Sequence, residues 1–197
     1  MSASRSLQSA KQALRKDLKS RLRKLSPEER SHQSKTIFKK LISTDFFKKS
    51  KTLSLYLNMP SEVDTNDLLK YCFDSGKRCF IPHYTEKDMK MVLLKDLQDY
   101  DNLQLTAWNI KQPSDDEIRV DIMDEGHLDL IVVPGLGFTR SGLRLGRGKG
   151  YYDNYFRKYE VKFGERPYLV GLAYSCQMVD DLPADEFDIT VDEVLSP

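Results

Sequence analysis

The run Leu128-Asp129-Leu130-Ile131-Val132-Val133, closed by Pro134-Gly135, constrains this chain more than any other segment. It is short and almost continuously apolar, the pattern of a strand buried on both faces rather than of a half-exposed one. Strands of that kind belong to parallel sheets covered by helices on each side. Followed on to Phe138, the run is interrupted by Asp129, Pro134 and two glycines, so it does not read as a membrane span.

The other elements fit the same frame. Leu7, Leu14, Leu18, Leu22 and Leu25 share one stripe at about 100° per residue and predict a helix over 7–25. Ser26-Pro27-Glu28-Glu29 reads as the next helix start, with Ser26 as N-cap and Glu29 completing a capping box. Ile37, Phe38, Leu41, Ile42 and Phe46 form its buried face. Alternation at Leu53, Leu55 and Leu57 predicts a strand, and a helix over 65–74 ends at Gly76. Residues 78–81 read as a strand stopped by Pro82, 90–94 as another, and 95–127 as mixed loop and short helix. A helix starts near Tyr151, a buried strand spans 168–173, and 187–195 holds at least one more. Helices alternating with apolar strands give an α/β class with a mostly parallel sheet between helical layers. With neither an internal repeat nor a long linker, residues 1–197 read as one domain.

Composition narrows the function. The formal net charge is +1, which supplies no global field to recruit nucleic acid or an acidic membrane. Any anion site must come from a local cluster. Cys72, Cys79 and Cys176 are odd in number and lack a Cys-x-x-Cys spacing, so neither a disulfide framework nor a zinc site is expected. No secretory core opens the chain. Its first sixteen residues lack acids and carry Ser and Arg, a likeness to a transit peptide that keeps a mitochondrial copy as the alternative to the cytoplasm.

The chemistry is concentrated in Arg144-Leu145-Gly146-Arg147-Gly148-Lys149-Gly150-Tyr151-Tyr152-Asp153. Glycines at 146, 148 and 150 let the backbone take positive φ and approach a ligand closely. Successive N–H groups in such a turn form an anion-binding concavity, and a helix beginning at Tyr151 adds its N-terminal partial charge. Arg144, Arg147 and Lys149 contribute full charges between the glycines. The loop follows a strand end, where open α/β sheets bind ligands. It is not a Walker A loop, because Leu143 stands where the first glycine belongs and Gly150 where Ser or Thr belongs. Nor is it the dinucleotide fingerprint, which needs glycine in place of Tyr151. A solvated surface loop is the plain alternative, and the two tyrosines and the carboxylate that follow argue against it.

With Pro134-Gly135-x-x-Phe138 before it, this segment resembles the motif of the 5-formyltetrahydrofolate cyclo-ligase family. The likeness extends to Lys11-Gln12-Ala13-Leu14-Arg15, Tyr56-Leu57, Glu62-Val63-Asp64-Thr65, Gly76-Lys77, Ile81-Pro82, Val170 to Ala173, Gln177, Leu182-Pro183, Asp188 and Val191 to Val194. It therefore covers nearly the whole chain in order. The resemblance implies an open three-layer, Rossmann-like sandwich with a helical N-terminus. It also implies ATP-dependent closure of 5-formyltetrahydrofolate to 5,10-methenyltetrahydrofolate, with Mg²⁺ bound.

By the same resemblance, ATP contacts fall on Lys11, Gln12, Ala13, Leu14 and Arg15 and on Arg144, Leu145, Gly146, Arg147, Gly148, Lys149, Gly150, Tyr151 and Tyr152. Folate contacts fall on Leu57, Glu62, Trp108, Arg147, Gly148, Lys149, Gly150 and Tyr151, and metal contacts on Asp153 and Asp188. Phe187 departs from the His common at that position in the family. Lys149 and Arg147 are expected at the transferred phosphate, with Tyr151 or Tyr152 orienting the formyl group. Lys11 stands out on pattern alone: it lies inside the apolar stripe of its helix with Arg15 at the edge. Two cations there are expensive unless an anion meets them, although snorkelling is the ordinary explanation. The rival functions are a sugar-phosphate enzyme, which needs an acid/base beside the loop, and a non-catalytic folate or nucleotide binder. The expected partners are small molecules only, with the chain acting as a monomer.

Overall fold

The structure is a computed structural model and describes residues 2–86, 88–106 and 109–197. Helices α1 (Ser2–Lys24), α2 (Pro27–Ser43) and α3 (Asp45–Lys49) precede strand β1 (Thr52–Leu55). Helix α4 (Asn66–Asp74) leads to β2 (Arg78–Tyr84) and β3 (Met89–Leu94). Then come α5 (Leu97–Asn102), the short strands β4 (Gln104–Leu105) and β5 (Lys111–Gln112), and α6 (Ile122–Glu125). Strand β6 (Leu130–Val133) is followed by β7 (Gly137–Phe138), β8 (Arg144–Leu145), α7 (Tyr151–Phe163), β9 (Tyr168–Leu172), a 3-10 turn over Ser175–Gln177, and β10 (Glu193–Leu195).

Six strands form the central sheet in the order β10-β9-β6-β1-β2-β3. All neighbours run parallel except β3, which returns antiparallel along β2. The run at 130–133 splits by alternation, as a strand buried on both faces must. Leu130 and Val132 join Leu53, Leu55, Val170 and Leu172 under the face covered by α1 to α4. Ile131 and Val133 join Leu169, Ala173 and the α7 residues Tyr155, Phe156 and Tyr159 on the other face. The result is a three-layer α/β/α sandwich. Asp129, which interrupts the apolar run, accepts the N–H groups of Lys51 and Thr52 at 2.7 and 2.9 Å and sets the start of β1 beside β6.

Three local expectations are corrected. Pro82 does not stop its strand: β2 continues to Tyr84, paired with β3 in register Pro82↔Met91 and Tyr84↔Met89. Pairing with β1 ends at Phe80, so the missing N–H of Pro82 removes nothing from that ladder. At Ser26 only half of the capping box forms. Its hydroxyl accepts from Glu29 N at 3.1 Å, but the Glu29 carboxylate accepts from Gln33 Nε2. The buried face expected for α2 is shared by two helices, because Thr44 caps α3 and places Phe46 there.

Chain direction positions the site. From β1 the chain builds outward through β2 and β3, then returns to the other flank of β1 as β6 and builds through β9 and β10. The loops leaving β1 and β6 diverge at this switch point and open a crevice at the strands' C-terminal ends. Phe138 braces the second loop. An added Cβ on Gly135 or Gly171 would meet its ring at 2.5 Å, so the Pro-Gly-x-x-Phe spacing is a packing requirement.

Candidate active site

A cavity of about 480 Å³ occupies that crevice. The β1 loop supplies Tyr56, Leu57, Met59 and Glu62, and the β6 loop supplies Pro134 and Gly135. Arg144 and residues 146–153 form one wall, and Lys11 and Arg15 of α1 reach in from another side. Tyr84, Ile110, Arg157, Asp185, Phe187 and Asp188 complete the lining.

The glycine loop is tethered at several points. It leaves the two-stranded β7–β8 ribbon at Leu145 and enters α7 at Tyr151. Gly148 has φ +108° and Gly150, the N-cap of α7, φ +71°, both in the region that favours glycine. Gly146 has no positive φ. Arg15 Nε donates to Gly146 O at 2.9 Å. Arg147 donates from Nε and Nη2 to Glu62 Oε1 at 3.1 and 3.0 Å and from Nη2 to Ser61 Oγ at 3.0 Å. Arg144 donates to Asp153 Oδ1 at 2.8 Å and to Pro134 O at 3.3 Å. Lys149 is exposed and, among the described residues, has no hydrogen-bond or ion-pair partner.

Lys11 is 9 % exposed, and its ammonium bridges Asp185 Oδ2 at 2.8 Å and Asp188 Oδ2 at 2.5 Å. Burial works to lower its pKa, but the two carboxylates more than offset this and hold the ammonium above the ordinary lysine value. The hydrogen bond from Lys11 in turn lowers the pKa of Asp185. The anion that a cation in the apolar stripe requires is thus provided by the chain itself.

Three tyrosines make the aromatic wall. Tyr84 and Tyr151 lie with ring centroids 5.3 Å apart, and Tyr84 Oη donates to Tyr152 Oη at 3.4 Å. Burial pushes the Tyr152 phenol well above its usual range, and Tyr84 follows for the same reason. Both stay protonated near neutral pH and keep a hydroxyl to donate. Tyr151 Oη is fixed by Thr85 O at 3.2 Å.

Of the residues expected at the site, Lys11, Arg15, Leu57, Glu62, Arg144, Tyr151, Tyr152, Asp153, Asp188 and the loop 146–150 line one cavity. Gln12, Ala13, Leu14 and Leu145 do not. Leu14 packs against the core, and Leu145 is buried within it. Trp108 lies outside the described residues. Tyr84 and Asp185 were not singled out by the sequence. A strand allowed to run past Pro82 places Tyr84 at its C-terminal end, but no local signal marks Asp185 within its acid-rich stretch.

Two carboxylates beside the loop bear on a metal. The bonds to Asp153 from Arg144 and Ile189 N fall on Oδ1, and those to Asp188 from Lys11 and Asp185 N fall on Oδ2. One oxygen of each is left for a further ligand. No group of three His, Cys, Asp or Glu side chains able to hold an ion occurs among the described residues. This donor set fits Mg²⁺, which binds through one or two carboxylates and takes its other ligands from phosphates and water.

Residues 7–197 match the model of the 5-formyltetrahydrofolate cyclo-ligase family. The chain is similar to 5-formyltetrahydrofolate cyclo-ligase of Mus musculus, with 44 % identity over 189 residues covering 95 % of this chain and 93 % of that one. It is 37 % identical over 192 residues to a probable 5-formyltetrahydrofolate cyclo-ligase of Caenorhabditis elegans, covering 96 % and 93 % of the two chains. The solved 5,10-methenyltetrahydrofolate synthetase of Aquifex aeolicus superposes with a TM-score of 0.74 at 34 % identity, covering 94 % of this chain and 88 % of that one. Sequence from residue 7 to the end, the six-stranded fold and the loop at its switch point lead to one assignment: the chain belongs to the 5-formyltetrahydrofolate cyclo-ligase family.

Proposed function

We infer that this chain performs the reaction of its family, ATP-dependent cyclisation of 5-formyltetrahydrofolate to 5,10-methenyltetrahydrofolate with release of ADP and phosphate. The supporting observation is that one cavity joins two unlike halves. A glycine loop with Arg15, Arg147 and Lys149 suits a triphosphate. A buried carboxylate, Glu62, beside Leu57, Tyr84 and Ile110 suits a flat, donor-rich ring.

The formyl group is an amide, and its oxygen is a poor leaving group. It attacks the γ-phosphorus of ATP, an O–P bond forms, and ADP departs. The N10 lone pair then attacks the formyl carbon and closes the ring. The C–O bond breaks with loss of phosphate, and N10 gives up its proton. Alignment and charge neutralisation are what such a transfer needs from the protein. Lys149 is free to meet the transferred phosphate, and Arg147 and Arg15 flank it. Tyr151 or Tyr152, the latter protonated because it is buried, orients the formyl group. Asp153 and Asp188 are the residues that would hold Mg²⁺, and the ion, when bound, would supply neutralisation of triphosphate charge. The chain works as a single domain over 1–197, as a monomer and in the cytoplasm. Among the described residues no helix is long and apolar enough to cross a membrane.

The test is to mix purified protein with 5-formyltetrahydrofolate and Mg-ATP and follow the absorbance of the methenyl product together with ADP. Product and ADP should rise in equal amounts. ADP without methenyl product, or neither, overturns the reading.

A further inference from the structure

We propose that Glu62 is a positioning residue for Arg147: it holds the guanidinium away from the phosphates until the pterin arrives, and so makes the two substrates bind cooperatively. The inference rests on the reading above, in which Glu62 meets the pterin and Arg147 the triphosphate.

The ion pair joins the two halves of the cavity. Glu62 is 8 % exposed. Its Oε1 accepts both Nε and Nη2 of Arg147, at 3.1 and 3.0 Å, and its Oε2 accepts Met59 N at 2.9 Å. A carboxylate oxygen has two lone pairs, so Oε1 is saturated. A pterin edge that presents two adjacent N–H groups needs both oxygens, and Arg147 must withdraw to admit it. The withdrawal is feasible. The Arg147 side chain is 34 % exposed, its one other hydrogen bond among the described residues runs to Ser61 Oγ, and its neighbour Gly148 sits at φ +108°.

The reverse movement is unfavourable on its own. If a triphosphate draws Arg147 away while the pterin is absent, a buried carboxylate is left with a single backbone N–H, and an uncompensated buried charge is strongly destabilising. Either substrate alone must break the pair, whereas both together break it only once. The coupling is therefore favourable and, by linkage, reciprocal. Folate tightens nucleotide binding by the same factor as nucleotide tightens folate binding.

The consequence for Glu62→Gln has an unusual sign. The amide keeps the shape of the side chain but releases Arg147, so a substitution on the folate side should tighten nucleotide binding. The experiment is calorimetric titration of the full chain with the Mg²⁺ complex of the β,γ-imido analogue of ATP, with and without saturating 5-formyltetrahydrofolate. In the native protein folate should raise analogue affinity about tenfold, within the usual span of coupling. In Glu62→Gln, folate-free affinity should exceed that of the native protein several-fold, and folate should add less than a factor of about two. A purely structural role for Glu62 weakens nucleotide binding instead.

No folate effect in the native protein, or unchanged or weaker folate-free binding in the variant, overturns the proposal. Titrating the variant with folate alone separates the two layers. Weaker folate binding without a gain in nucleotide affinity removes the coupling and leaves the pterin contact standing. Unchanged folate affinity removes the pterin contact itself, and the proposal with it. Arg147→Lys, which keeps the charge without the two-pronged grip on Oε1, is the second variant, and a folate effect as large as in the native protein counts against the proposal.

Discussion

Arg144 and Asp153 close the joint between the glycine loop and α7, with Nη2 2.8 Å from Oδ1 and only 4 % and 16 % of the two side chains exposed. The same guanidinium donates to Pro134 O and lies over the Tyr152 ring. One planar fork therefore ties the end of β6, the start of α7 and the aromatic wall together.

Lysine cannot reproduce that fork. Arg144→Lys is expected to cost about 2 kcal/mol, because Asp153 or Pro134 O loses a buried partner. For a chain of this size that lowers Tm by roughly 4–8 °C, which calorimetry measures. A midpoint within a degree of the native protein counts against the joint.

Lys149 is the loop cation without a hydrogen bond or ion pair to the rest of the chain among the described residues. Lys149→Ala should leave Tm unchanged and reduce kcat about 100-fold, the scale of losing one preorganised charge at a transition state. Folate Kd should stay within about twofold. An unaltered kcat removes Lys149 from the transferred phosphate.

The Lys11 bridge has a pH signature. The pKa of Asp185 is lowered, so its contribution is present above the ordinary carboxylate value and lost as pH falls through the lowered one. The pKa of Lys11 is raised, so its contribution is complete below the ordinary lysine value and lost as pH rises through the raised one. The bridge is thus fully present between about pH 4 and pH 10. Asp185→Asn should lower Tm at pH 7 by about 2–4 °C, equivalent to about 1 kcal/mol for a partly exposed pair. That gap should narrow as pH falls below about 4, the ordinary carboxylate value. A gap that stays constant over this range places its origin elsewhere.

Phe138 leaves no room at two glycines. Gly171→Ala sets a methyl group 2.5 Å from its ring within the central sheet, where Phe138, Val133, Val170 and Leu172 are all buried. Overpacking of this kind costs about 1–3 kcal/mol. Denaturant unfolding should show a lower midpoint with an unchanged slope, and Phe138→Leu in the same chain should recover part of the loss. No recovery means that the strain has another source.

The parts legible in the sequence are those set by local physics. The leucine stripe gave the direction of α1, Ser26 the start of α2, and Gly150-Tyr151 the start of α7. The apolar run at 130–133 announced a covered parallel sheet, and the wheel position of Lys11 left snorkelling or a nearby anion, a choice the bridge to Asp185 and Asp188 decides. What stayed hidden depends on pairing across the fold. Whether Pro82 ends a strand is decided by which neighbour needs its N–H. The two-residue strands β4 and β5 are too short to leave a period. Asp185 looks like any other surface acid until Lys11 is seen 174 residues away. The Glu62–Arg147 pair is invisible for the same reason, because neither residue carries a sign of the other in its own neighbourhood.

The separation between Lys11 and Asp188, 177 positions, has a consequence for biosynthesis. A chain growing on the ribosome makes the glycine loop and the first helix long before the segment that anchors that helix. Until residues 185–188 emerge, Lys11 lacks the acids that hold it in the cavity, and the pocket is open on that side. Completion of the cavity thus waits on residues 185–188, and a chain cut off before them lacks that part of the lining.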